Sequence, residues 1–245
     1  MTSIEAPAKL TRSLRVVGVR EDGYHLLDAE VVVLDLADEL RFTSPGDGLT
    51  VTGPFAVGVP VDDSNLVLRA LAAVGRQAAV ELVKRIPHGA GLGGGSADAA
   101  AVLRWAGVSD LGLAASLGAD VPCCLVGGRM RMRGVGEVID PLPFEPLGVT
   151  LVVPPVVVST PAVYRAWDDL GGPQGEGAND LEPAALVVEP QLRVWRERIR
   201  EATGAVPVMA GSGSAWFVDG DREDVLGKLR DGGAFVRAAR AVDRD

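Results

Sequence analysis

Apolar and β-branched residues alternate with polar ones over residues 4–19 and again over 29–42, and Asp22 and Gly23 between them form a turn signal. This pattern predicts a chain that opens as a β-hairpin, because a two-residue period turns one side of each strand toward a core. The period then changes. Residues 65–74, NLVLRALAAV, have helical spacing behind Asp62, Asp63 and Ser64, which suit a helix N-terminus. Residues 79–86 read as a strand running into a glycine-rich loop, and behind that loop Ala99, Val102, Leu103 and Ala106 recur at helical spacing. A short helical patch, Leu111–Leu117, and a strand over residues 129–133 follow; the alternation of Arg129, Arg131 and Arg133 with Met130 and Met132 predicts one solvated strand face.

Around residues 141–146 the chain becomes proline-rich, and GVTLVVPPVVVST then starts a strong strand, which marks a junction between domains 1–145 and 146–245. Beyond it the pattern predicts a helix over 161–170, the loop GGPQGEGAND, a helix over 190–202, a strand over 206–210, a glycine turn at 211–214, a strand over 215–218 and a last helix near 222–229. Strands and helices mixed in this way indicate an α+β fold, and no internal repeat interrupts it.

The segment IPHGAGLGGGSADAAA, residues 86–101, carries the first chemical signal. Five glycines, Gly89, Gly91, Gly93, Gly94 and Gly95, fall within seven residues, so the backbone can approach an anion and turn its N–H groups inward. Ser96 reads as the N-cap of the following helix, whose positive dipole end would point into the loop. Asp98, one turn inside, reads as a partner of that dipole. Gly89, Gly91 and Gly94 also satisfy G-x-G-x-x-G, but a dinucleotide site needs an acidic residue at the end of a following strand, and none is placed there. A Walker A loop is excluded because no Gly-Lys-Ser/Thr follows.

Composition narrows the partners. A formal net charge of −9 argues against a general nucleic-acid or membrane-surface binder, so a phosphorylated ligand needs a local answer from backbone dipoles and a divalent cation. No stretch reaches membrane-spanning length, and MTSIEAPAKL shows no secretory signal, so the expectation is a cytoplasmic protein. Cys123 and Cys124 are adjacent and cannot close an ordinary disulfide loop; two thiols and two histidines make a structural zinc site a poor reading, and reduced, core-facing thiols are expected.

Read in order, APAK (6–9), DGYH (22–25), the glycine loop, LGADVP (117–122), NDLEP (179–183) and AGSGSAWF (210–217) resemble the GHMP kinases across nearly the whole chain. DGYH, GADVP and NDLEP are most similar to the branch that phosphorylates a cytidine diphosphate-linked methylerythritol. The resemblance implies an N-terminal domain like ribosomal protein S5 domain 2 and a C-terminal ferredoxin-like domain. It further implies ATP and Mg2+ as cofactors, the small-molecule acceptor as partner, no nucleic acid and no membrane, and a monomer or homodimer.

Carried over residue by residue, the resemblance makes Asp120 the group that positions or deprotonates the acceptor hydroxyl and Lys9 the cation beside it. By residue type alone Asp120 is a turn or cap residue and Lys9 an exposed strand-end lysine. Tyr24 and His25 match the pair that meets the cytosine ring, with a hairpin aromatic and a surface histidine as the plain alternative. Pro87, Gly89, Ala90, Gly91, Leu92, Gly93, Gly94, Gly95 and Ser96 would wrap the ATP phosphates, with the Ser96 hydroxyl near a phosphate or the metal. Asn65 matches an asparagine near adenine, or simply starts its helix. Thr160 and the turn at 211–214 resemble a wall of the acceptor site, and His88 falls on a variable position and is expected to face solvent.

The chain departs from the family pattern at Thr11, where an asparagine is usual, at Ala97, where a second serine is usual, and in a short connection from the loop helix to LGADVP. Another GHMP small-molecule kinase, for homoserine, mevalonate or a sugar, and a catalytically impaired nucleotide-binding relative are the competing readings.

Overall fold

The computed structural model describes residues 1–175 and 177–243. The opening hairpin consists of β1 (Thr2–Val19) and β2 (His25–Thr43), joined by a turn in which Gly23 takes a φ of +85° that side-chain-bearing residues rarely adopt. β2 is long enough to serve three partners. β1 lies antiparallel along it, with register slips between Pro7 and Lys9 and between Thr11 and Ser13. Such slips re-aim side chains locally, and here they flank the buried polar residues Lys9 and Thr11.

β3 (Leu49–Thr52), α1 (Leu66–Ala73) and β4 (Ala79–Val83) come next. The strand expected over 79–86 stops at Val83, because the N–H groups of Arg85 and Ile86 turn to the buried carboxylate of Asp38 instead of a neighbouring strand. Then follow α2 (Gly94–Ala106), α3 (Leu111–Leu117), α4 (Val121–Val126), β5 (Arg129–Gly134) and β6 (Val138–Pro141). The six strands form one sheet in the order β3-β4-β2-β5-β6 with β1 on β2. On β5, Met130 and Met132 are buried, while Arg129, Arg131 and Arg133 pair with Glu30, Asp28 and Asp140, as the alternation predicts.

The second sheet is built from β7 (Gly148–Val153), then α5 (Thr160–Asp169), α6 (Glu182–Val188), α7 (Gln191–Thr203), β8 (Val208–Met209), β9 (Trp216–Asp219), α8 (Glu223–Leu226) and β10 (Phe235–Arg240). Its order, β10-β7-β9-β8, is fully antiparallel and is that of a ferredoxin-like βαββαβ unit. The pattern gave no sign of α6, of β10, or of the short strands β3 and β6. The loop expected over 171–180 includes Glu176, which lies outside the described residues.

Two apolar clusters hold this together. The larger packs helices on both sheets, and in it Ala97, Ala99, Ala100 and Ala101 let α2 lie close to its neighbours. The smaller joins Leu10, Leu34 and Leu36 of the hairpin to Leu151 and Phe217 of the second sheet, with Ala90 and Leu92 of the glycine loop between them. Burying each such leucine contributes about 2 kcal/mol, so the loop is fixed from behind by both sheets.

Candidate active site

The glycine loop alternates in character. Ala90 and Leu92 are buried, while Gly89, Gly91 and Gly93 take φ values of +69°, +78° and +68°. Its backbone is tied on both sides, with Lys9 N–H donating to the Leu92 carbonyl at 3.0 Å and Ala215 N–H to the Ala90 carbonyl at 3.1 Å. A β-carbon at Gly91 would lie 2.6 Å from the Ala210 carbonyl oxygen, and one at Gly93 would lie 2.6 Å from Cγ of Lys9. Glycine is therefore required at these two positions by close approach as well as by conformation.

One expectation is corrected. The N-cap of α2 is Gly93, in the left-handed conformation and with no side-chain bond; Ser96 is the third residue of the helix. The glycines can themselves enter the helical turn, so the helix starts earlier than a serine cap would place it. The Ser96 hydroxyl has no hydrogen-bond partner among the described residues and is open to a ligand.

Loop residues line a cavity of about 390 Å3 together with Pro60, Asn65, Lys84 and Asp98. Asn65 is the N-cap of α1: its Oδ1 accepts from Val67 N–H at 2.8 Å and its Nδ2 donates to the Pro60 carbonyl at 2.7 Å. The amide is thus used by the chain itself, and the cap lies at Asn65 and not among the three residues before it. His88 is exposed, with its ring Nε2 3.2 Å from the Val57 carbonyl.

Asp98 is also corrected. It is no dipole partner but part of a buried triad in which Lys84 Nζ donates to Asp38 and, at 2.8 Å, to Asp98 Oδ2. Burial pushes the Asp98 carboxyl up to about 7, an effect that the Lys84 charge only partly offsets, and its Oδ1 has no partner. Lys84 Nζ would be 3.2 Å from a β-carbon at Gly94, so the triad supports the start of α2 from beneath. Sequence reasoning missed Asp38 and Lys84, because LDLADEL and ELVKRIP each carry three charged residues and nothing local marks which of them is buried.

A second cavity, of about 660 Å3, opens on the other side of the loop, and Gly91 and Ser96 line both. In its wall Lys9 Nζ lies 3.2 Å from Asp120 Oδ2 and 3.3 Å from Thr11 Oγ1. Lys9 is 5% exposed, so the strand-end alternative fails: the register slip at Pro7 turns it inward. Asp120 immediately precedes α4, which the pattern did not predict, and its side chain is one-third exposed to the cavity. Thr11 is buried and directs its hydroxyl to Lys9, while Ala97 lies in the core of the α2 packing.

The far wall comes from α5. Thr160 Oγ1 is 2.7 Å from Ser212 Oγ in the second glycine turn. His25 reaches across from the hairpin, its Nε2 2.8 Å from Asp168 and its ring 4.7 Å from that of Tyr164. Burial, joined by the Asp120 charge, pushes the Tyr164 hydroxyl up to about 12. Tyr24 is exposed at the hairpin turn, with the Arg20 guanidinium 5.5 Å from its ring centre. Tyr164 and Asp168 had no distinctive local pattern in the sequence, whereas Ser212 falls in the glycine turn expected to line this wall. The NDLEP block braces this wall: buried Asn179 donates from Nδ2 to the Met209 and Gly211 carbonyls, both at 2.7 Å, and accepts from Leu181 N–H at 2.9 Å. No group of three or more His, Cys, Asp or Glu arranged to hold a metal occurs among the described residues.

The chain is similar to known proteins along most of its length. The family model for the GHMP kinases N terminal domain matches residues 65–128. The chain is 43% identical over 231 residues to the 4-diphosphocytidyl-2-C-methyl-D-erythritol kinase of Paracoccus denitrificans, covering 86% of this chain and 84% of that protein. It is 36% identical to the kinase of the same name from Granulibacter bethesdensis, covering 98% of this chain and 96% of that one. A crystal structure of 4-(cytidine 5'-diphospho)-2C-methyl-D-erythritol kinase superposes with a TM-score of 0.78 at 35% identity, over 98% of this chain and 100% of that one. The mevalonate kinase of Methanococcus jannaschii shares the fold alone, with a TM-score of 0.64 at 13% identity over 99% and 98% of the two chains. The chain is a GHMP kinase and belongs, within that superfamily, to the 4-diphosphocytidyl-2-C-methyl-D-erythritol kinases.

Proposed function

We propose that this ATP-dependent kinase transfers the γ-phosphoryl group to the 2-hydroxyl of 4-diphosphocytidyl-2-C-methyl-D-erythritol, a step of non-mevalonate isoprenoid synthesis, with Asp120 and Lys9 as the catalytic pair. The observation that carries the reading is the position of Lys9, Thr11 and Asp120 in the wall of one cavity while Gly91 and Ser96 border both. ATP occupies the glycine-loop cavity, where the loop N–H groups and the α2 dipole receive its phosphates. The acceptor occupies the larger cavity, with its cytosine against Tyr24 and His25 and its backbone along Thr11 and Thr160.

Asp120 accepts the proton of the attacking hydroxyl or holds that hydroxyl in line; a loose transition state asks little of the base. Lys9 neutralises charge on the moving phosphoryl group and holds the Asp120 carboxyl in place. Magnesium, when bound, neutralises the triphosphate. The Ser96 hydroxyl would be the side-chain group to hold the ion, since Mg2+ needs few protein ligands and Asp98 Oδ2 is engaged by Lys84. Residues 1–145 are the N-terminal domain, with the ATP loop and the catalytic pair, and residues 146–245 the C-terminal domain, which adds Thr160 to the acceptor wall. The enzyme works in the cytoplasm as a monomer or homodimer, a compartment in keeping with the free, buried Cys123 and Cys124.

A coupled ADP-release assay over a panel of acceptors tests this. Turnover is expected with the cytidylyl acceptor and not with homoserine or mevalonate; ADP release that is independent of acceptor and unchanged in Asp120→Asn would point instead to a nucleotide-binding relative.

A further inference from the structure

The contact between His25 and Asp168 has a consequence for base selection. The two residues come from different halves of the fold: His25 begins β2, and Asp168 sits near the end of α5. They meet at 2.8 Å in the wall of the larger cavity. The imidazole is held on its other sides by Tyr164, with ring centres 4.7 Å apart, and by Trp167, edge-on at 5.4 Å. Tyr164, Trp167 and Asp168 lie at helical spacing and present one face of α5 to the ring.

An ionised carboxylate can only accept, so the proton of the neutral imidazole sits on Nε2 and its lone pair on Nδ1. Nδ1 has no hydrogen-bond partner among the described residues and is the polar atom the ring has left for a ligand. We infer that Asp168 is a positioning residue that sets base specificity: by fixing the tautomer and plane of His25 it makes Nδ1 an acceptor for the 4-amino group of cytosine. A uracil ring would bring a carbonyl oxygen to the same place, lone pair against lone pair. The inference rests on the reading that this cavity takes a cytidine diphosphate-linked acceptor.

The test uses the full chain, with the cytidylyl acceptor and its uridylyl counterpart as probes. Asp168→Ala is expected to raise KM for the cytidylyl acceptor about tenfold, to leave kcat and the KM for ATP within about twofold, and to narrow the preference for cytidylyl over uridylyl acceptor by a similar factor. Asp168→Asn, whose amide oxygen still accepts from Nε2, is expected to restore most of that preference. In a His25→Ala background Asp168→Ala should have no further effect. The inference is overturned if Asp168→Ala leaves KM and preference at wild-type values, if it lowers kcat or ATP binding to the same degree, or if its effect persists without His25. Failure of the wild-type chain to turn over the cytidylyl acceptor at all would overturn the underlying reading, a result distinguishable from each of these.

Discussion

Lys9 Nζ sits 3.2 Å from Asp120 Oδ2, and the two groups are unequally buried: the lysine is almost sealed, while the carboxylate is one-third exposed. Burial is the largest single influence on Lys9 and would lower its pKa. The charge of Asp120, its hydrogen bond and the neighbouring Cys123 and Cys124 together outweigh that, so Lys9 stays charged with a pKa above the ordinary value. The expected outcome is that Asp120→Asn and Lys9→Met each reduce kcat by about 10^2 to 10^3 with little change in the KM for ATP, because the proposed mechanism puts both at the reacting centre. The double variant should be hardly worse than either single one, as for groups that act as a unit. Steady-state ADP release measures this, and additive losses would show that the two residues act independently.

The loop glycines separate conformational from steric demands. Gly89 and Gly91 both take left-handed φ values, but a β-carbon at Gly89 meets nothing within 4 Å, whereas one at Gly91 strikes two carbonyl oxygens of the second glycine turn, at 2.6 and 2.9 Å. Gly89→Ala should cost about 1 kcal/mol of stability and retain ATP binding. Gly91→Ala should cost at least about 2 kcal/mol and weaken ATP binding about tenfold or more. Urea denaturation and nucleotide titration of both variants would decide; equal effects would refute the steric argument.

Asn179 is expected to be a structural brace for the acceptor wall. Its three hydrogen bonds are buried, and Asn179→Ala leaves two carbonyls and one N–H without partners, which should destabilise the fold by about 2–4 kcal/mol. A chemical denaturation midpoint within error of the wild type would sink this expectation.

Asp98 predicts a pH dependence. Its folded-state pKa is raised to about 7 by burial, so between the unfolded carboxylate range and pH 7 the native state holds a proton that the unfolded state has lost. Stability from this group is therefore full below the unfolded pKa and declines as pH rises toward 7. Comparing urea midpoints at pH 5 and pH 8 isolates it: the wild type should lose ground relative to Asp98→Asn as pH rises. An advantage of the wild type that grows with pH would reverse the sign and show that the Lys84 charge dominates burial.

The hairpin, the loop helix and the strand that begins at residue 148 were legible because each follows from a local cause: a two-residue alternation, a helical period behind glycines, an apolar run. The motifs likewise singled out Lys9, Asp120 and the glycine loop. Local signals failed where the deciding partner is distant. Ser96 looked like a cap because serine commonly caps, yet the left-handed Gly93 took that place. The strand ending at Val83 and the burial of Lys84 and Asp98 depend on Asp38, some 46 to 60 residues away along the chain.

The sequence by itself determined the family, the α+β class and the glycine loop at a helix start, because these reside in residue types at fixed short spacings. Only the tertiary structure decided which side chains share a cavity. The slip at Pro7 aims Lys9 at Asp120, the second sheet closes on Gly91, and α5 brings Tyr164 and Asp168 to His25. Each of these meetings depends on packing between segments more than 100 residues apart, which no local periodicity records.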